Sequence, residues 1–371
     1  MSQTGVEMKT QSKSLKIPIY TQVSETTYEL DWVDLATLDL SKFEDSNGRQ
    51  ELAAQLHDAI QQIGFFYVIN FGLSQEEVDH QFAIGKEFFN LSTDEKFKYR
   101  ADLENGDYNG YKPLGHREIA PGQFDNTEIY NVPKFITQYE RPHPALIREN
   151  WLEIEKFGRY IDNQIVSKLL VLFAIVLELP KDFFLQSHRY DEKGDTHLRY
   201  MIYHTRTKED NEKSGNVWVK GHTDFGSLTL LFRQPIASLQ VLTPQETWKY
   251  VKPYPASITV NIADSLSFLT NGYLRSSVHR VIAPPPDQTH LDRYGVLYFV
   301  RPEDDLILKP VPSPLLERLG LLNDSTENKS ELTAGEWVKA RVKKKVNKLG
   351  SSQYVGDEQE IINGIKASYY D

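Results

Sequence analysis

Residues 220–232 read KGHTDFGSLTLLF, with a histidine and an aspartate two residues apart at the head of an apolar run. A strand repeats every two residues, so on an extended chain His222 and Asp224 share a face with Gly226 and Leu228. Two polar side chains aimed at an interior need a partner, because burying an unpaired charge is costly. Alone, so short a motif favours a satisfied core His–Asp pair over a metal site. The rest of the chain has to decide which.

Downstream, from about residue 196, short β-rich segments alternate with turn residues: HLRYMIYHT, SLTLLF, LQVL, WKYVKPY, SITVNIA, SLSFLT, SSVHRVIAP and RYGVLYFVRP. Many short strands at regular spacing predict a sandwich or barrel, and eight of them fit a jelly roll that can hold a ligand between its sheets. Upstream, Leu52, Leu56, Ile60 and Ile63 fall on one helical stripe. FFYVINF then reads as a buried strand, and Ser74 with Glu77 forms a capping box before a second helix. Ser92 and Glu95 repeat that signature. Residues 101–145 look irregular, and a long helix is expected from about Asn150 to Leu179, ended by Pro180. The expected fold is α+β: a double-stranded β-helix (jelly-roll) core with an N-terminal helical region and a C-terminal helix. Its divisions are a disordered tail (1–14), an N-terminal mixed region (15–190), the jelly-roll core (191–345) and a polar C-terminal tail (346–371).

The 371 residues carry 52 acidic and 42 basic side chains, a formal net charge of −10. Phosphate contacts need clustered Lys and Arg, so nucleic acid and anionic membranes are poor partners for such a chain. KARVKKKVNK reads as the solvated face of a helix. There is no cysteine, which leaves His, carboxylate or main-chain oxygen to hold any metal. The start of the chain lacks an apolar signal, and the longest apolar run, LLVLFAIVL at 169–177, is too short to span a bilayer. A cytoplasmic monomer acting on a small-molecule substrate is expected.

Of ten histidines, His57, His80, His143, His188 and His290 sit in polar, helical or loop contexts where a surface role is the default. His116 has no motif around it, and His197 and His204 flank a strand. His222 and His279 differ, each lying in an apolar β segment. Two imidazoles and one carboxylate converging on a face make the facial triad of non-haem Fe(II), which leaves three positions open. A core His–Asp pair with His279 unrelated is the competing reading. Arg293 lies on the next apolar strand after His279. A buried arginine needs an anion, and its planar fork suits a carboxylate, whether a core acid or a ligand. Tyr203 offers a hydroxyl from another strand, with Arg199 and Met201 on the same face.

HTDFGSLTLLF, LQVL, NIADSLSFLTNGYLRSSVHRV and RYGVLYFVRP, in that order, resemble the Fe(II)/2-oxoglutarate-dependent dioxygenases of the isopenicillin N synthase-like superfamily. GFFYVINFGLSQEEVD resembles its N-terminal region, so the likeness runs from about residue 15 to 345. It implies that His222, Asp224 and His279 bind Fe(II), and that Arg293 binds the distal carboxylate of 2-oxoglutarate with help from Tyr203. The implied reaction uses O2 as second cosubstrate and yields succinate, CO2 and an oxidised C–H position in the substrate. Two residues depart from the family pattern: Gly295 stands where Arg-x-Ser would place a serine, and Met201 stands where an asparagine is frequent. The substrate pocket is expected from Tyr108, Tyr111, Phe124, Met201, Phe299, Arg301 and Trp337, with the loop 206–216 as a surface loop or lid. Two alternatives stay open: an oxidase of the same fold, whose Arg293 grips the substrate's own carboxylate, and a non-catalytic jelly-roll binding protein.

Overall fold

The computed structural model describes residues 17–120, 122–322, 331–346, 358–362 and 365–368. The expected tail at 1–14 and most of the loop NDSTENKSELTAG lie outside them. Among the described residues, two facing sheets are built from β1 (Thr37–Asp39), β2 (Phe65–Ile69), β3 (Gly110–Lys112), β4 (Thr127–Pro133), β5 (His197–Tyr203), β6 (Val217–His222), β7 (Leu228–Phe232), β8 (Leu239–Leu242), β9 (Trp248–Tyr250), β10 (Ile258–Ile262), β11 (His279–Ile282) and β12 (Arg293–Val300). The larger sheet runs β1-β2-β10-β7-β12-β5-β4-β3, and the smaller β9-β8-β11-β6.

Strand periodicity divides the larger sheet into two faces. Leu198, Tyr200 and Ile202 of β5, with Val296, Tyr298 and Val300 of β12, join the core under the helices. The alternate residues Arg199, Met201 and Tyr203, with Arg293, Leu297 and Phe299, face the smaller sheet and line a cavity between the two. Helices α1 (Ser46–Gln62), α2 (Gln75–Phe89), α3 (Trp151–Tyr160) and α4 (Ser167–Val176) contribute to the outer face's core, a π-helical stretch Ile161–Val166 joining the last two. Leu52, Leu56 and Ile60 bury the α1 stripe against it. Each such side chain contributes about 1.5–3 kcal/mol on burial. The Ser74 capping box is present, and Ser92 accepts from the Glu95 N–H.

Several expectations need correction. SLSFLT is a helix, Asp264–Leu269, because Leu266 and Leu269 are buried at a spacing of three rather than on alternate residues. Residues 101–145 contain β3 and β4. The latter hid in the sequence because all its residues are buried, polar ones included, so TEIYNVP lacks alternation. Glu128 is tolerated there because Lys96 Nζ reaches its Oε2 at 2.6 Å. The loop 206–216 holds a helix, Lys208–Lys213, capped by Thr207 and docked by Asn211, which accepts from Trp218 Nε1–H at 2.8 Å. His143 and His188 are interior rather than surface residues; His188 donates from Nδ1 to the Phe184 carbonyl at 2.8 Å, and its Nε2 accepts from Ser227 Oγ–H at 2.7 Å. Within the expected polar tail, Glu358–Ile362 and Ile365–Ser368 pair as an antiparallel hairpin. The C-terminal helix is α5 (Ala334–Val346). No helix among the described residues is long and apolar enough to cross a membrane.

Candidate active site

His222 is the last residue of β6, and His279 is the first of β11, its antiparallel neighbour; the two are paired in register. Asp224 is on neither of these strands. It lies in the turn that carries the chain from the smaller sheet to β7 in the larger one. The closeness of His222 and Asp224 therefore comes from a tight turn and not from the two-residue strand period. Gly226 permits that turn to approach β12: a Cβ there would stand 2.2 Å from the Val300 carbonyl oxygen.

One ligand atom from each of His222, Asp224 and His279 lies within 4.8 Å of the others. Asp224 Oδ1 is 4.0 Å from His222 Nε2, and Oδ2 is 3.8 Å from His279 Nε2. The imidazole orientations are fixed from behind. Nδ1 of His222 meets the Lys220 carbonyl at 2.9 Å, and Nδ1 of His279 meets the Ser277 carbonyl at 3.1 Å. A carbonyl can only accept, so each Nδ1 carries a proton, which leaves Nε2 as the nitrogen able to present a lone pair to a metal. Thr229 Oγ1–H donates to Asp224 Oδ2 at 2.7 Å, and Asn261 Nδ2–H donates to the same oxygen at 3.1 Å. Burial pushes the Asp224 carboxyl up; positive charge on the His279 and His222 rings, when they are protonated in the absence of metal, together with the Thr229 and Asn261 donors outweighs it and holds the group below the ordinary carboxylate range.

The turn is also held by the helix Asp264–Leu269 and by α5. The Asp264 N–H donates to the Asp224 carbonyl at 3.0 Å. Fully buried Arg341 donates from Nη2 to the Thr223 carbonyl at 3.0 Å and places Nη1 3.2 Å from Asp264 Oδ2. Thr229 and Asn261 went unnoticed in the sequence, where no local motif marks them; Arg341 belongs to KARVKKKVNK, expected on a solvated helix face, and its full burial corrects that expectation.

Arg293 begins β12 opposite Tyr203, with its guanidinium 5.1 Å from the centre of that ring. It is 3% exposed and pairs with no carboxylate among the described residues; its Nε has no hydrogen-bond partner there. Burial pushes its pKa down and Tyr203 opposes this. A buried cation beside a cavity, with a phenol as its companion, suits the carboxylate of a ligand. Both departures from the family pattern lie next to it and face each other: Gly295 is paired with Met201, and a Cβ at 295 would stand 3.1 Å from Met201 Cγ. The methionine thus covers the space a serine would use.

The cavity encloses about 110 Å³. His222, Asp224 and His279 line it together with Arg293 and with the two donors to Asp224, Thr229 and Asn261. Tyr108, Met201 and Phe299 line it too, as does Arg199. Four expected pocket residues lie elsewhere. Tyr111 is buried, with its hydroxyl donating to Glu128; Phe124 is half-exposed. Trp337 packs edge-on to Phe268 at 5.0 Å within a separate cluster. Arg301 is buried with its Nε 3.8 Å from Asp195 Oδ2. Tyr111, Trp337 and Arg301 are each taken up by a partner that sequence spacing does not reveal.

Two family descriptions match the chain: the N-terminal region of non-haem dioxygenases in morphine synthesis over residues 35–153, and the 2OG-Fe(II) oxygenase superfamily over 192–302. The 2-oxoglutarate-dependent dioxygenase gloE of Glarea lozoyensis is 32% identical over 286 residues, covering 76% of this chain and 84% of that protein. The 1-aminocyclopropane-1-carboxylate oxidase of Dictyostelium discoideum is 27% identical over 331 residues, 77% of this chain and 86% of that one. The fold is shared with a full-length Neurospora crassa protein crystallised in complex with alpha-KG, at a TM-score of 0.73 and 23% identity over 87% of this chain and 99% of that one. The chain belongs to the 2OG-Fe(II) oxygenase superfamily, in its isopenicillin N synthase-like branch, and is a non-haem Fe(II)- and 2-oxoglutarate-dependent dioxygenase.

Proposed function

We propose that this enzyme oxidises an unactivated C–H bond of a small organic metabolite, with His222, Asp224 and His279 holding Fe(II) and Arg293 and Tyr203 holding the far carboxylate of 2-oxoglutarate. Hydroxylation, desaturation and ring formation all fall within this chemistry. Bound Fe(II) supplies activation of O2, coupled to conversion of 2-oxoglutarate to succinate and CO2. The protein's own part is to present two neutral imidazoles and one carboxylate with their outward atoms already hydrogen-bonded, so little reorganisation accompanies metal binding. Arg293 then orients the cosubstrate from the other end of β12, and Gly295 with Met201 shapes the wall beside it. The acidic composition favours a small-molecule substrate over nucleic acid, and we place the enzyme in the cytoplasm as a monomer.

The observation that carries this reading is the buried Arg293 guanidinium, which faces the same cavity as the three ligand residues and has no carboxylate partner among the described residues. Oxygen uptake by Fe(II)-loaded protein, measured with and without 2-oxoglutarate and followed by succinate release, tests it. Turnover that requires 2-oxoglutarate is expected. Turnover that proceeds without it would assign Arg293 to the substrate's own carboxylate, as in an oxidase of this fold.

A further inference from the structure

The cavity holds a second buried guanidinium. Arg199, on β5, points to the same face as Met201 and Tyr203 but lies at the other end of the strand from Arg293. Arg293 is paired with Tyr203 and Arg199 with Leu297, four residues further along β12. At about 3.3 Å per residue the two backbone positions are roughly 13 Å apart. Arg199 lies at the metal-binding end. Its guanidinium is 4.1 Å from the centre of the Phe299 ring, and Phe299 is paired with Thr229, the residue whose hydroxyl donates to Asp224.

The group is held in place by neutral partners. Nε–H donates to Asn131 Oδ1 at 2.8 Å. Nη2 lies 3.3 Å from His197 Nε2, which accepts, because His197 Nδ1 carries its proton toward the Asp195 carbonyl at 2.7 Å. The Tyr108 ring centre is 4.7 Å away. Asn131, His197 and the two rings fix the guanidinium plane without supplying negative charge. No carboxylate among the described residues forms an ion pair with Arg199, although it is buried, whereas neighbouring Arg301 has Asp195. A buried cation held by neutral groups and open to a cavity is a site for an anion, and a planar fork with free N–H bonds suits a carboxylate.

We infer that Arg199 anchors the carboxylate of an organic acid substrate, with Tyr108 and Phe299 packing the acid's body beside the metal-binding residues. The inference rests on the oxygenase reading above and narrows its substrate class. Arg293 and Arg199 then divide the anions between them, cosubstrate at one end and substrate at the other.

The test uses full-length enzyme loaded anaerobically with Fe(II) and 2-oxoglutarate. Loading is verified first, so failure at that step speaks against the oxygenase reading and not against this inference. Binding of benzoate, phenylacetate and cinnamate is then compared with that of their uncharged primary amides by titration calorimetry. At least one acid is expected to bind roughly tenfold more tightly than its amide, the scale of a charge-assisted hydrogen bond. Arg199→Met should remove that preference, and Arg199→Lys, which keeps the charge and loses the fork, should recover part of it. Three results would overturn the assignment: no acid binds, the amides bind as well as the acids, or Arg199→Met keeps the full preference. Loss of 2-oxoglutarate loading in a folded Arg199→Met protein would also overturn it, by giving the arginine to the cosubstrate.

Discussion

At the end of the cavity proposed to bind Fe(II), the outward-facing atoms of His222, Asp224 and His279 already have partners: the Lys220 and Ser277 carbonyls behind the two imidazoles, and Thr229 and Asn261 on Asp224. At the arginine end, Arg293 has Tyr203 beside it and an Nε without a partner among the described residues. The first arrangement resembles a finished socket for a small, highly charged ion, whose ligands must be aimed before it arrives. The second is a charge awaiting a larger ligand that brings its own oxygens. Substitutions at the two ends should therefore fail in different ways, iron at one and cosubstrate at the other.

The largest effect is expected from Asp224→Ala. Removing the one carboxylate of the triad should weaken Fe(II) by more than about a hundredfold, beyond the range seen when only an outer partner is lost. Equilibrium dialysis against Fe(II) checks it, with circular dichroism to show that the protein remains folded. Unchanged iron affinity would remove Asp224 from the ligand set.

Arg293→Leu tests the other end. Breaking a buried charge-assisted pair costs on the order of 3 kcal/mol, roughly a hundredfold in 2-oxoglutarate affinity. Iron binding without 2-oxoglutarate should be spared. An Arg293→Leu protein that binds 2-oxoglutarate as well as the wild type would erase the division between the two ends.

A smaller loss is expected from Thr229→Val, which keeps the side-chain shape and deletes the hydroxyl donor to Asp224. Fe(II) affinity should fall by roughly tenfold, with the 2-oxoglutarate requirement little altered once iron is saturating. If 2-oxoglutarate binding suffers more than iron binding, the two ends are not separable in this way.

The smallest effect should come at Gly295, where the wall is shaped by packing. A serine Cβ would press on Met201 Cγ at 3.1 Å and Leu297 Cδ1 at 3.2 Å, so the methionine must give way before the new hydroxyl can serve the cosubstrate. Gly295→Ser alone should change 2-oxoglutarate affinity by only a few-fold, because methionine is adaptable. Combined with Met201→Ala, the serine should improve binding relative to Met201→Ala alone. A double-mutant cycle should give a coupling of about 0.5–3 kcal/mol, whereas strict additivity would show that the facing pair does not interact.

How much of this was legible in the chain follows from where each signal resides. His222, Asp224, His279 and Arg293 stood out because polar residues interrupt apolar strands, and their order along the chain resembled a family pattern. The alternation of Arg199, Met201 and Tyr203 with Leu198, Tyr200 and Ile202 was likewise readable, since period two survives wherever one face is polar. β4 was not, because Thr127, Glu128 and Asn131 are buried with partners supplied from elsewhere in the fold. The pocket was the least legible part. Tyr111, Phe124 and Trp337 have the right chemistry in the right regions, yet they lie outside the cavity. Arg341 is far from His222 in sequence and reaches the adjacent Thr223 carbonyl only after α5 docks.

The central claim is that the triad and Arg293 form one site. It is tested most directly by titrating 2-oxoglutarate into the wild-type protein under anaerobic conditions, with and without Fe(II). If both ends hold the same molecule, Fe(II) and 2-oxoglutarate must strengthen each other's binding by the same factor, and Asp224→Ala must abolish that coupling. Equal 2-oxoglutarate affinity with and without Fe(II) would contradict the account.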